Sequence, residues 1–186
     1  LGLASNPSTK EVAIQTVKEF GIHSGGAALA FGTHPYHLDF QREICEFWGV
    51  KSSLIFPTGW MAGYGVIKGL VRPWDHIVMD KLAHNCLQEG AKASTPNIHM
   101  TEHLNVHAMI DKVKEIRAKD KEAGILVVTE SLFSMDSDTP DLDFLQKECK
   151  KQQAFLLIDM AHDLGALGKK GLGARETQNI TDLSNV

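Results

Sequence analysis

Carboxylates and imidazoles recur in this sequence just after short apolar runs: Asp80 with His84, Glu130 with Asp136 and Asp138, and Asp159 with His162. A carboxylate at the end of a buried segment needs a partner, because an unpaired buried charge is costly. For Asp159 the plain partner is a backbone N–H or an arginine. The chemical one is a cationic ring nitrogen or a metal, and a histidine three positions on suits either. No third ligand with suitable spacing is evident, which argues against a metal. His84 by itself reads more simply as a cap or a satisfied surface group. The stretch 130–138 is acidic and rich in hydroxyls, which loop solvation explains as well as chemistry does. Thr58, Gly59 and Trp60 form a tight turn opening a helix, whose first free N–H groups suit a phosphate, although a glycine at such a turn is most often structural. Gly165, Gly168, Gly171 and Gly173 match neither GxGxxG after a first strand nor GxxxxGK[ST], so dinucleotide and P-loop sites are poor readings.

The elements that must position these groups follow from periodicity. Apolar runs at 53–56, 76–79, 97–100, 125–129 and 155–158 alternate with helical segments near 60–70, 83–93, 106–119 and 141–152, the pattern of alternating strands and helices. Ile125-Leu126-Val127-Val128 and Phe155-Leu156-Leu157-Ile158 are apolar at consecutive positions, as strands covered on both faces are. The expected fold is therefore α/β, a three-layer, mostly parallel sheet with helices on both faces, and ligands bind such sheets outside the carboxyl ends of the strands. Ahead of it, Ser8 with Glu11 reads as a capping box before Ala13, Ile14, Val17 and Phe20. A glycine-rich loop, 21–32, leads to a second helix through Phe40, Ile44, Phe47 and Trp48, stopped by Gly49. No linker, charge block or repeat divides the chain. It reads as one unit over 1–186, with N-terminal helices and the glycine-rich loop in 1–50 and the α/β portion in 51–186.

Composition narrows the function. A hydrophobic share of 43% in 186 residues supports a real core and excludes disorder. Nineteen Lys and Arg against 23 Asp and Glu leave a net charge of −4, with no basic field for a nucleic acid. No apolar run approaches the roughly 18 residues of a membrane span, and residues 1–5 lack the basic start and long apolar segment expected of a secretory signal. Three cysteines, widely separated and without a CxxC pair, suggest a reducing, cytoplasmic setting. The missing initiator Met and the abrupt end at Asn185-Val186 raise the expectation of a piece of a longer protein.

Taken together, these residues resemble the α-oxoamine synthases, pyridoxal-phosphate enzymes that condense an amino acid with an acyl-CoA and release carbon dioxide. The similar segments, in family order, are Gly32-Thr33 with His37, then Thr58-Gly59-Trp60, and then Asp80-Lys81-Leu82-Ala83-His84-Asn85. The loop from Glu130 to Asp138 and Asp159-Met160-Ala161-His162 with its trailing glycines complete the series, which covers nearly the whole chain. The resemblance implies the large domain of an aspartate-aminotransferase-like, fold type I transferase, here incomplete. It implies pyridoxal 5'-phosphate as cofactor, glycine, alanine or serine with an acyl-CoA as substrates, and a homodimer or family heterodimer. By resemblance Asp159 faces the cofactor's ring nitrogen and raises its pKa. His162 bonds the phenolic oxygen, His84 lies over the ring, Gly59 and Trp60 give N–H groups to the phosphate, and Ser134 contacts the oxygen-bearing edge. Of these, His84, Asp159 and His162 are the catalytic assignments.

The pattern also breaks. The family's lysine, which bonds the cofactor and moves the α-proton, belongs after the glycine-rich stretch, past Val186; Lys169 and Lys170 sit inside the glycine turn. This stretch alone is thus expected not to catalyse the full reaction. Met160 stands for an acidic residue, Ser137 for a glycine, Gly63 for an asparagine, and His103-Leu104-Asn105 for His-Asn-Asp. These departures keep a second expectation open, a non-catalytic partner subunit of the kind that serine palmitoyltransferase contains.

Overall fold

Four of the five apolar runs become strands of one parallel sheet: β1 (His76–Asp80), β2 (Ile98–Thr101), β3 (Ile125–Glu130) and β4 (Phe155–Asp159), in the order β2-β1-β3-β4. The structure, a computed structural model, describes all 186 residues. Seven α-helices accompany the sheet: α1 (Pro7–Phe20), α2 (Pro35–Trp48), α3 (Gly59–Leu70), α4 (Asn85–Ser94), α5 (Val106–Lys119), α6 (Leu142–Lys151) and the short α7 (Ala174–Thr177). The chain divides into two compact units, Leu1–Ile55 and Phe56–Val186.

In the second unit the period of two along each strand sends alternate side chains to opposite faces. Val78, Val127 and Leu156 pack beneath α5 and α6 with Met109, Val113, Leu142 and Leu145. Ile77, Met79, Leu126 and Val128 pack on the other face with Ile67 of α3 and Leu87 and Ala91 of α4. The result is the expected three-layer sandwich. Its register matters more than its core: Glu130 lies opposite Asp159, and Met79 opposite Val128, so Glu130 and Asp159 share a row while Asp80 ends the adjacent strand one residue short of it.

Two glycines let α3 and α4 approach closely. A Cβ on Gly63 would fall 2.6 Å from Cys86 Sγ, and one on Gly90 would fall 3.0 Å from the Tyr64 backbone. In the first unit, α1 and α2 bury no residue, and Phe20, His34 and Tyr36 form an edge-to-face aromatic group. Gly49 adopts φ 64° and ends α2 as expected.

Two local expectations are corrected. The run 53–56 forms no strand. Ser53 instead exchanges hydrogen bonds with Gln41 of α2, donating from Oγ to the Gln41 carbonyl and accepting from Nε2 at its own, so its hydroxyl and carbonyl find partners without a ladder. The first helix is capped by Asn6, not Ser8: the Asn6 side chain accepts from the N–H groups of Ser8 and Thr9, and Pro7 occupies the first helical position, where its missing N–H costs nothing.

Candidate active site

The ends of β1, β3 and β4 each carry a polar group with defined partners. Asp80 is buried and accepts from the N–H groups of Leu82 and Leu104, both at 2.8 Å, and from His103 Nδ1 at 3.0 Å. Glu130 is buried and accepts the backbone N–H of His84 at 2.7 Å. Burial pushes the Glu130 carboxyl up to about 7; the His84 N–H opposes this, and the neighbouring charges of Asp159 and Asp80 reinforce it. Asp159 accepts the Ala161 N–H on Oδ1 at 3.0 Å, which leaves its other oxygen for a further donor.

His84 is the N-cap of α4. Its Nδ1 accepts the Cys86 N–H at 3.2 Å, so the neutral ring carries its proton on Nε2, and Cys86 Sγ lies 2.9 Å from the same nitrogen. Burial, then the charge of Asp159, raises the Cys86 thiol, which keeps it neutral. On α3 the N-cap Thr58 Oγ1 accepts from Met61, leaving the first two N–H groups, those of Gly59 and Trp60, unpartnered by the helix. A Cβ at Gly59 would meet nothing within 4 Å, so no packing contact fills the space before this helix end.

Beyond β4 the glycine-rich turn is fixed by carboxylates. Glu176 accepts from the N–H groups of Lys169 and Lys170. The buried Asp163 accepts from Ala174 at 2.6 Å, and a Cβ on Gly173, at φ 62°, would fall 2.4 Å from Asp163 Oδ2. Asp163 Oδ1 has no hydrogen-bond partner.

These elements enclose one cavity of about 490 Å³, whose walls include Gly59, Trp60, His84, Asp159 and His162. Five of the six sequence-assigned residues are therefore brought together. The sixth, Ser134, is exposed in the loop after β3 and does not line the cavity. Gly63, Cys86 and Glu130 line it without having been assigned a role. For Glu130 the signal was present: it ends an apolar strand, as Asp159 does. No lysine lines the cavity.

The donor set has three chemically distinct parts, which are an anion-accepting helix end, a carboxylate with a free oxygen, and two imidazoles. A second group, His103 with Asp136 and Asp138, brings possible metal-ligand atoms within 4.8 Å of one another. Both His103 nitrogens are already committed, to Asp80 and Asp138, so that group is an ion-pair network.

The sequence matches the family model described as aminotransferase class I and II over residues 1–185. It is 34% identical over 185 residues to an 8-amino-7-oxononanoate synthase of Hydrogenovibrio crunogenus, covering 100% of this chain and 46% of that protein. To the synthase of the same name from Alkalilimnicola ehrlichii it is 36% identical over 180 residues, covering 97% and 45%. Among solved structures it is similar to a serine palmitoyltransferase from S. paucimobilis, with a TM-score of 0.91 at 25% identity over 100% of this chain and 47% of that one. A Sphingomonas wittichii serine palmitoyltransferase gives 0.90 at 29% identity over 96% and 44%. The chain spans less than half the length of each of these relatives.

Proposed function

Because the chain belongs to the aminotransferase class I and II family, and within it to the α-oxoamine synthases, we propose that the whole protein is a pyridoxal-phosphate-dependent C-acyltransferase. It joins an amino acid (glycine, alanine or serine) to an acyl-CoA with loss of carbon dioxide. The observation that carries this reading is the meeting of Asp159, His84, His162 and the open α3 N-terminus around one cavity.

The residues suit the cofactor. The unpartnered N–H groups of Gly59 and Trp60, with the α3 dipole behind them, would hold its phosphate. The unused oxygen of Asp159 would hold a protonated ring nitrogen. His84, fixed by the Glu130 carboxylate and by its own bond from Cys86, would offer Nε2–H to the ring face and the substrate carboxylate. His162 would hold the phenolic oxygen. Bound pyridoxal phosphate supplies an electron sink for the pair left when a substrate loses its α-proton. Asp159 keeps that sink effective by holding a positive charge at the ring nitrogen.

The lysine that such enzymes use belongs, by resemblance, beyond Val186, and full turnover is a property of the chain that contains it. The absence of a lysine from the cavity walls is also what a second reading would use, in which the protein is a non-catalytic partner subunit of a serine palmitoyltransferase-like complex. Borohydride reduction of the whole protein with pyridoxal phosphate separates the two, since only the enzyme fixes the cofactor to one of its own lysines. No helix is long and apolar enough to cross a membrane.

Asp159 gives the decisive test. Asp159→Asn keeps the shape of the side chain and can still accept from Ala161. The exchange of glycine, alanine and serine α-protons with solvent deuterium should nonetheless fall at least about a hundredfold, because a neutral ring is a poor electron sink. Equal exchange rates in the two proteins would remove the cofactor role from Asp159.

A further inference from the structure

The 131–139 loop carries Ser134; Ser131 at its start donates from its N–H and Oγ to the Asp159 carbonyl at the end of β4, and the far side of the loop is tied to the end of β1 through a residue from elsewhere in the chain. His103, on the turn between β2 and α5, stands between two carboxylates. Nδ1 lies 3.0 Å from Asp80 Oδ1, and Nε2 lies 3.1 Å from Asp138 Oδ2. An ionised carboxylate only accepts, so satisfying both contacts takes two N–H donors on one ring, and only the imidazolium has two.

The clamp has a fixed jaw and a mobile one. Asp80 is 1% exposed and already holds the Leu82 and Leu104 N–H groups, so it is anchored in the sheet. Asp138 is part of the loop. The base of that loop is a small closed turn, in which the Phe133 N–H donates to the Asp138 carbonyl and the Ser137 N–H to the Phe133 carbonyl. The Phe133 ring, also buried, packs edge-on against His103 with centroids 4.5 Å apart. His103 therefore touches both residues that close the turn, and Ser134 is the first residue inside it.

We infer that His103 is a positioning residue: as an imidazolium clamped between Asp80 and Asp138, it fixes the 131–139 loop against the end of β1 and so sets where Ser134 stands relative to the cofactor site. This rests on the function proposed above. The charged groups around the ring are Asp80 from β1, Glu130 from β3, Asp136 and Asp138 from the loop, and the Lys81–Glu102 ion pair on the flanking turns. The balance is acidic and favours the cation. Burial alone would push the imidazole down, but its bonds to Asp80 and Asp138 more than reverse this and hold it above its ordinary value. A folded-state pKa above the unfolded one means that the clamp is at full strength below about pH 6.5 and weakens as pH rises through the folded value. The loop should loosen on the alkaline side.

Hydrogen–deuterium exchange of the 131–139 segment in the cofactor-loaded whole protein, corrected for intrinsic rates and referenced to the 106–119 segment, reads the clamp directly. In the wild type, protection of 131–139 should drop about tenfold between pH 6 and the alkaline limit of stability, with 106–119 unchanged, as expected for losing a charge-assisted bond. In His103→Gln it should be low and flat with pH. In Asp138→Asn the amide can accept from a charged ring or donate to Nε2 of a neutral one that keeps Nδ1–H on Asp80, so protection should persist to alkaline pH, and in Asp138→Ala it should be low and flat. The apparent affinity for pyridoxal phosphate should follow the same pH profiles across the four proteins. A wild-type loop with pH-independent protection, or a His103→Gln loop protected like wild type, overturns the clamp. A loop that responds while cofactor affinity does not overturns the positioning role. If the wild type takes up no cofactor at all, the proposed function fails, and the positioning role with it, while the exchange profiles still decide whether the clamp exists.

Discussion

At the residue scale, Glu130 shows how one group can serve position and pH at once. Its carboxyl fixes the His84 backbone, yet burial, reinforced by the charges of Asp159 opposite it and of Asp80, pushes it up to about 7. An acid that binds its proton more tightly folded than unfolded makes stability fall as pH rises, here between about 4.5 and 7. Glu130→Gln keeps an acceptor for the His84 N–H and removes the charge. In the cofactor-free protein it is expected to gain about 1–2 kcal/mol at pH 8 and nothing at pH 4.5 in urea unfolding. A variant no more stable at pH 8 than the wild type would mean that Glu130 is not strained by its burial. The argument that singled out Asp159 applies equally to Glu130, but the hydroxyl-rich residues after it made the whole stretch look like a solvated loop, and register was needed to separate them. Register also explains nothing about Leu104 and Ser137, whose backbones do. Both stand where the family pattern has Asn and Gly, and both have positive φ, 58° and 57°. Leu104→Asn is expected to raise stability by about 0.5–1 kcal/mol, because a bulky side chain is strained in the left-handed region and asparagine tolerates it. Calorimetry should show a midpoint rise of about 1–4 °C in a chain this size.

At the element scale, the helices and strands of the second unit were largely legible because their signals are local. The segment expected at 106–119 is α5 itself, and the runs near 76–79, 125–129 and 155–158 are strands within a residue or so. The run 53–56 failed because an apolar sequence makes a strand only where an edge accepts it, and Gln41 satisfied Ser53 instead. Asn6 displaced Ser8 because Pro7 settles where the first turn begins. Helix crossings are not legible at all, since close approach depends on residues distant in sequence. Gly63 and Cys86 form such a pair, with 2.6 Å between a notional Cβ and Sγ, and Cys86 cannot swing aside freely while Sγ lies 2.9 Å from His84 Nδ1. Gly63→Ala is therefore expected to cost about 1–3 kcal/mol through overpacking. In a Cys86→Ala background most of that cost should vanish, giving a coupling of about 1–2 kcal/mol in a double-mutant cycle. Additive effects would show that α3 and α4 absorb the methyl by shifting.

At the scale of the whole molecule, the two units differ in what holds them. Phe56–Val186 has its core on both faces of the sheet, whereas the only buried residue of Leu1–Ile55 is Gly32. Apolar side chains of the first unit stay open to solvent, with Val12 65%, Leu29 101% and Phe31 74% exposed. Large apolar side chains left this open suit an interaction surface, and the partner that the family resemblance implies is a second copy of the protein or a related subunit. Burial at about 25 cal/mol per Å² across such a face would provide several kcal/mol, enough to hold helices that have little core of their own. The expected behaviour is a concentration dependence confined to one part of the chain. On dilution of the whole protein through its dimer dissociation range, amide exchange in the 7–20 segment should accelerate at least about tenfold, while 76–80 and 125–130 stay slow, because local opening there reports the sheet core. Sedimentation at the same concentrations supplies the dissociation curve against which the exchange is read. Slow exchange in 7–20 that persists in a sedimenting monomer would show that the first unit is held by its own chain, and the case for a dimer built on it would fall.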